Sequence, residues 1–170
     1  DSPLATRASA VFGKHAGEIH DGDILKRALA SKNVRFTETV DQSKAINKLN
    51  GHYVVIAASG MCDAGRIRHH LKANLWKRNA SILMAGFQAQ GTLGRLLVDG
   101  ASRVRIQGEE IKVRARISQF DLYSGHADAS ELVSWVKDRV PVRHAIFLTH
   151  GEEDGLNGLK GRLGAALPEI

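Results

Sequence analysis

The sequence predicts an α/β fold, a parallel sheet with covering helices that is interrupted late by an antiparallel hairpin. Three observations carry this reading. Apolar runs at residues 53–58, 81–85 and 145–148 are nearly unbroken, as expected for strands covered on both faces. Each run is followed by a segment whose apolar residues recur at helical spacing, and such alternation favours parallel strands joined by right-handed crossovers. Between Arg103 and Ile117 the spacing changes to apolar-polar alternation, the period of a half-buried hairpin.

The elements follow in order. Asp21 or Asp23 caps a helix carrying Ile24, Leu25, Ala28 and Leu29 on one face, an acidic residue being a good acceptor for the first free amides. Residues 34–37 form a short strand, and residues 42–49 a helix with Ala45, Ile46 and Leu49 inward. After the first apolar run, Ile67, Leu71 and Leu75 mark a helix; after the second, residues 92–98 form another. Arg103–Ile106 and residues 111–117 flank Gly108-Glu109-Glu110 as the hairpin, the candidate boundary between two α/β lobes. Beyond it come a helix holding Leu132, Val133 and Val136, the strand at 145–148, and a last helix with Leu156, Leu159, Leu163 and Leu167 on one side. Gly158, Gly161 and Gly164 lie within that last helix. Each costs about 1 kcal/mol relative to alanine, so the helix needs tertiary support.

A length of 170 residues fits one domain, or the end of one followed by part of another. Hydrophobic content of 43% and charged content of 25% exclude a disordered chain. No run is long enough to span a membrane and no signal peptide opens the chain. The chain starts at Asp1 rather than Met, inside sequence that already reads as structured, and is expected to be a piece of a longer protein. The single cysteine, Cys62, excludes an internal disulfide and a multi-cysteine zinc site, and fits a reducing cytoplasm. A net charge of +6 favours a polyanionic partner, most simply nucleic acid, although many basic domains bind nothing anionic. Two Trp, two Tyr and five Phe provide no base-stacking stripe.

The strand ends open onto small and polar residues, where open α/β sheets bind ligands. Ser59-Gly60-Met61-Cys62-Asp63-Ala64-Gly65-Arg66 precedes a helix. Free amides there, with Arg66 and Arg68 close by, can hold a phosphate; an ordinary turn using glycine for a positive φ explains the same residues. The segment is neither a Walker A loop nor G-x-G-x-x-G. His69 and His70 are neighbours on a helix, pointing about 100° apart, and read as surface or partner-facing. Gly91-Thr92-Leu93-Gly94-Arg95 repeats the theme, with Thr92 able to cap and Gly94 allowing close packing. Ser124-Gly125-His126-Ala127-Asp128 has the makings of an oriented imidazole. A metal-ligand pair, or a helix cap by Asp128 with His126 incidental, fits the same spacing. In Thr149-His150-Gly151-Glu152 a neutral imidazole suits zinc, with Glu152 orienting it. One histidine does not make a zinc site, and neither H-E-x-x-H nor H-x-H-x-D-H occurs.

Taken in order, these segments, together with Asp1-Ser2-Pro3-Leu4-Ala5, Ser43-Lys44-Ala45-Ile46-Asn47 and Ile67-Arg68-His69-His70-Leu71, resemble the C-terminal portion of a β-CASP RNA-processing nuclease of the metallo-β-lactamase superfamily. This is the group of the mRNA 3′-end cleavage endonuclease and its prokaryotic relatives. The resemblance runs over nearly the whole chain. It implies a partial, parallel-sheet β-CASP lobe over residues 1–120, then the returning C-terminal strand and helices of a metallo-β-lactamase αββα domain over residues 121–170. It implies that His126 protonates the leaving 3′-oxygen with Asp128 in support, and that His150 is a zinc ligand with Glu152 beside it. Given the basic charge, Ser59, Gly60, Gly65, Arg66, Arg68, Arg95 and Ser124 are the expected contacts to RNA phosphates.

By the same resemblance, two zinc ions in the full-length enzyme clamp the scissile phosphate and generate hydroxide. The family's H-x-H-x-D-H motif, its next metal-binding His and Asp, and the acidic partner of His126 lie upstream in the family and are not in this sequence. The segment alone is therefore expected to bind no zinc tightly and to cleave no RNA, while its parent does both, as an endonuclease, a 5′-exonuclease or both. RNA is the expected partner, a homodimer is a further candidate assembly, and no membrane is involved. The expected location is cytoplasmic. The alternative is a non-catalytic RNA-binding scaffold paralogue; hydrolysis of a small ester is a third reading, disfavoured by the cap and the charge.

Overall fold

The computed structural model describes residues 1–120 and 125–168. The chain divides into two compact units, Asp1–Phe120 and Asp121–Ile170. The first opens with α1 (Pro3–Lys14), where Ser2 caps and Pro3 starts the first turn, a position at which proline gives up no intrahelical bond. A short 3-10 turn (Ala16–Glu18) leads to α2 (Gly22–Leu29). Asp21 does stand at its N-cap position, but with a left-handed φ of 59° and no side-chain cap bond. The tight point is Gly22, where a Cβ would lie 1.6 Å from the Ala16 carbonyl oxygen. Next, α3 (Val40–Ile46) begins ahead of the expected helix because Thr39 and Gln42 form a reciprocal capping box.

The core is built next. The elements α4 (Ile67–Asn74), β1 (Ser81–Ala85) and α5 (Leu93–Val98) occur where the spacing predicts them. The hairpin strands β2 (Arg103–Ile106) and β3 (Glu109–Lys112) pair antiparallel. Their turn is Gln107-Gly108, with φ of 51° and 84°, the two left-handed residues that match the twist of the strands. Glu109 and Glu110 therefore belong to β3 and not to the turn. The expected second arm also divides: β3 ends at Lys112, and β4 (Arg116–Phe120) pairs in parallel with β1. Leu71, Leu75, Leu97 and Ile106 are fully buried, and Val104, Met84, Leu93, Cys62 and Ala115 complete the cluster. Each large aliphatic chain contributes roughly 1.5–3 kcal/mol when buried. The hairpin is thus part of the first unit's core, and the division falls after β4.

Three expected strands are not formed among the described residues. Residues 34–37, 53–58 and 145–148 have no ladder partner, and β1 with β4 is the parallel pair that is described. The sequence signal marked apolar segments correctly, but a strand exists only with a neighbour. Val54 and Ile56 are left 83% and 81% exposed, and Phe147 85%.

A buried carboxylate draws the outlying segments onto α4. The Asp1 side chain is 1% exposed. Its Oδ1 accepts from Arg66 at 2.6 Å and from the Thr37 hydroxyl; its Oδ2 accepts from His70 Nε2 at 2.7 Å and from the Ser43 hydroxyl. Arg66 donates further to the carbonyls of Thr37 at 3.2 Å and Glu38 at 2.6 Å, and the Asp1 amino group donates to Ile56. His70, expected at the surface, is buried. Burial first, then the Asp1 ammonium and Arg66, lower its pKa from the ordinary 6.5. Because Arg66 already matches the carboxylate charge, the neutral imidazole donates through Nε2 and leaves Nδ1 buried without a partner.

In the second unit, α6 (Ala129–Lys137) and α7 (Glu153–Ala166) pack on one another. Leu163 is buried. No helix among the described residues is long and apolar enough to cross a membrane.

Two predictions follow from these details. The His70 pKa is lowered on folding, so the unfolded chain takes up the proton first. Stability is full above the unfolded value of 6.5 and falls as pH drops below it. Urea unfolding from about pH 7 to about pH 5 should show this loss, and His70→Gln should flatten it. An equally steep profile in His70→Gln would contradict the assignment. The second prediction sets two glycines apart. A Cβ at Gly161 meets nothing within 4 Å, whereas at Gly22 it meets backbone. Gly161→Ala should raise the melting temperature, by about 1 kcal/mol of stability, and Gly22→Ala should lower it by about 1–3 kcal/mol.

Candidate functional site

The two histidine loops of the second unit are built alike. Asp128 is the N-cap of α6 and Glu152 stands at the N-cap position of α7; in each case a histidine precedes the acid by two residues. A carboxylate there is stabilised by the free amides and dipole of the helix start. Asp128 Oδ1 accepts from Ser130 and Glu131 at 2.7 and 2.8 Å, and Glu131 returns a bond to the Asp128 amide at 2.8 Å. The cap reading of Asp128 is therefore realised, and its carboxylate fixes the turn that carries His126. His126 is exposed and lines a surface concavity with Gly125, Ala127, Glu131, Leu132 and Trp135. Arg139 lies over the Trp135 ring at 4.0 Å. His150 is exposed with a left-handed φ of 61°, a conformation that costs energy for a residue with a Cβ.

The two glycine-arginine loops of the first unit are stitched together. The Gly94 amide donates to the Met61 carbonyl at 3.0 Å, and the Leu93 amide to the Asp63 carboxylate at 2.9 Å. Asp63 thus occupies the start of α5, where an anion would otherwise be drawn. Thr92 caps the same helix through the Arg95 amide. Gly65 has φ 73° and its Cβ position lies 3.0 Å from the Ala58 carbonyl, so the turn itself demands glycine. At Gly94 a Cβ would stand 1.7 Å from Oε1 of the buried Gln88, so that side chain would have to shift to admit it.

The arginines expected to contact RNA have partners inside the chain. Arg66 is held by Asp1, and Arg95 Nε lies 2.9 Å from both oxygens of Asp99. Arg68 donates to the Asp63 carbonyl at 3.3 Å, while its buried Nε has no partner. The Ser59 carbonyl accepts from the Cys62 amide at 3.1 Å, and the space about the Gly60 Cα is open. Ser124 lies outside the described residues. Burial, then the Asp63 charge, pushes the Cys62 thiol up to about 11, so it packs rather than reacts.

A zinc ion needs three or four ligands. Among the described residues no three His, Cys, Asp or Glu converge on a common point, so the described residues do not by themselves make up a ligand set. Two features escaped the sequence reading. The Asp1–His70 contact joins residues that no local spacing connects. The exposed cations Arg103, Arg105, Lys112, Arg114 and Arg116 alternate with the apolar residues of β2 to β4, and that alternation is the signal that could reveal them.

Residues 1–97 match the Beta-Casp domain, and residues 110–166 match the Zn-dependent metallo-hydrolase RNA specificity domain. Among curated relatives, Ribonuclease TTHA0252 of Thermus thermophilus is 34% identical over 165 residues, covering 94% of this chain and 37% of the relative. Transcription termination factor FttA of Pyrococcus horikoshii is 36% identical over 104 residues, 58% of this chain and 16% of that protein. An RNase J-like protein of Methanocaldococcus jannaschii is 30% identical over 112 residues, 66% of this chain and 25% of its own length. The chain spans little more than a third of the first relative and less of the others. The Beta-Casp match covers over half of the chain and includes α4, β1 and most of α5. The chain belongs to the β-CASP family of the metallo-β-lactamase superfamily.

Proposed function

We propose that this chain is part of a zinc-dependent ribonuclease that hydrolyses RNA phosphodiester bonds in RNA processing or decay, and that the segment does not cleave by itself. The observation that carries the reading is the paired design of the second unit. His126 and His150 each stand two residues ahead of an acid at the start of a helix, so that rigid elements hold two exposed imidazoles. Strain at a residue with a side chain, such as the left-handed His150, is tolerated where the site needs it. Two of the relatives are named for ribonuclease activity.

In this reading His126 donates the proton to the leaving 3′-oxygen, and the Asp128 cap keeps its turn in place. Imidazole is the side chain suited to proton exchange near neutral pH. His150 supplies one zinc ligand and Glu152 steadies its loop. Zinc in this family supplies Lewis-acid and hydroxide chemistry. The remaining ligands are assigned to the portion of the relatives that this chain does not match. The exposed Val54, Ile56 and Phe147 fit with that portion also completing the sheets. The enzyme works in the cytoplasm on RNA.

Zinc content and RNA cleavage of the full-length protein test this. His126→Ala should lower cleavage by about 10²–10⁴-fold with zinc retained. His150→Ala should lose zinc as well as cleavage. Full activity in both variants would overturn the site assignment, and stoichiometric zinc on the present chain alone would contradict the shared site. An intact full-length protein that binds RNA without cleaving it would identify the scaffold alternative.

A further inference from the structure

The cations of this chain are unevenly placed and unevenly matched. Nineteen of the 24 Lys and Arg but only ten of the 18 Asp and Glu fall within residues 1–120. Arg66 and Arg95 are matched by Asp1 and Asp99. Along β2, β3 and the lead into β4 the situation differs. Val104, Ile106, Ile111, Val113, Ala115 and Ile117 turn toward one core cluster. The residues between them, Arg103, Arg105, Lys112, Arg114 and Arg116, are all exposed.

The two nearby carboxylates are already taken. Glu109 is bound by Lys72 at 2.5 Å and Glu110 by Arg103 at 2.5 Å. Arg105, Lys112, Arg114 and Arg116 have no side-chain hydrogen bond or ion pair among the described residues; Arg105 and Lys112 are engaged through the backbone pairing of the hairpin, and Arg114 and Arg116 through their amides. In the hairpin register Arg103 stands directly opposite Lys112. A like-charged pair there opposes folding; Arg103 is offset by its bond to Glu110, whereas no carboxylate among the described residues is paired with Lys112. Residues two apart on a strand are separated by about 6.8 Å, which sets Arg103 and Arg105 at a spacing close to that of successive phosphates on an extended single strand. Guanidinium groups suit phosphate because their planar donors can bind two oxygens together.

We propose that the exposed cations of this tract, Arg105, Lys112, Arg114 and Arg116 with Arg103 beside them, form a sequence-independent docking face for the phosphate backbone of single-stranded RNA. The face deepens the ribonuclease reading and rests on it for the identity of the polyanion. It moves backbone contact away from the glycine-arginine loops, whose guanidiniums have partners within the chain. Charged edges also deter strand-to-strand aggregation, and the test separates that role from RNA binding.

Fluorescence anisotropy with a labelled single-stranded oligouridine, titrated across salt concentrations, measures the effect on the 170-residue chain. The variant combines Arg105→Gln, Lys112→Gln, Arg114→Gln and Arg116→Gln. A control of equal charge change combines Lys26→Gln, Arg27→Gln, Lys32→Gln and Lys48→Gln, four exposed positions elsewhere in the first unit. Circular dichroism checks that both fold, and an Arg-to-Lys version of the face retains the charge should either fail. The face variant should bind roughly tenfold or more weakly, with the log-log salt slope reduced by roughly two to three. The control should change far less, and the Arg-to-Lys version should keep the parent chain's salt slope while binding more weakly than the parent and more tightly than the glutamine variant. Equal loss in face variant and control would overturn the proposal in favour of diffuse charge. Unchanged binding in the face variant, with or without aggregation, would overturn it as well, and leave the ribonuclease reading standing. Absence of RNA binding in the unmutated chain would instead bring down the RNA reading and the face together.

Discussion

A carboxylate withdrawn from water must be matched by donors at both oxygens, or its burial opposes folding. Asp1 meets that demand by collecting Arg66, His70, Ser43 and Thr37, residues drawn from the segment before α3, from α3 itself and from the start and body of α4. The requirement explains several features together. Arg66 lies flat against the chain at the entrance to α4, reaching the carbonyls of Thr37 and Glu38. His70 is neutral and inward. The apolar core on the other face of α4, through Leu71 and Leu75, then packs against elements whose position this polar anchor fixes.

That anchor also sorts the cations. An arginine that satisfies a buried carboxylate has no geometry left for a substrate phosphate. The same logic holds on a smaller scale at α5, where Asp63 occupies the helix start and Asp99 holds Arg95. A motif rich in glycine and arginine ahead of a helix is an anion site only while its amides and guanidinium are free. Here Arg66, Arg68 and Arg95 each have a partner within the chain, while Arg105, Lys112, Arg114 and Arg116 stand exposed on and beside the strands.

Much of this was legible in the sequence. The runs at α4, β1 and α5 were found because their signals are local: a 3.6-residue spacing, a short apolar stretch, a threonine before a helix. The ordered motif set led to the β-CASP family, which the Beta-Casp match then bore out. The strands at 53–58 and 145–148 failed because an apolar run carries no information on whether a neighbour is present. The turn at Gln107-Gly108 was missed because three small and acidic residues looked more turn-like than a glutamine. Asp1, Ser43 and His70 went unseen because their meeting depends on tertiary approach over 69 residues, whereas the cap by Asp128, being local, was among the readings its spacing allowed.

The most direct test of this sorting of charges is Arg66→Ala, read for stability and RNA affinity in the same preparation. The structure requires that removing the guanidinium leave the Asp1 carboxylate buried with less than its full set of donors. Unfolding free energy should then fall by about 3–5 kcal/mol, as for other broken buried pairs, while the folded fraction binds single-stranded RNA as the parent chain does. A variant that keeps its stability and loses RNA affinity would contradict the account, because Arg66 would then belong to the substrate and not to the fold.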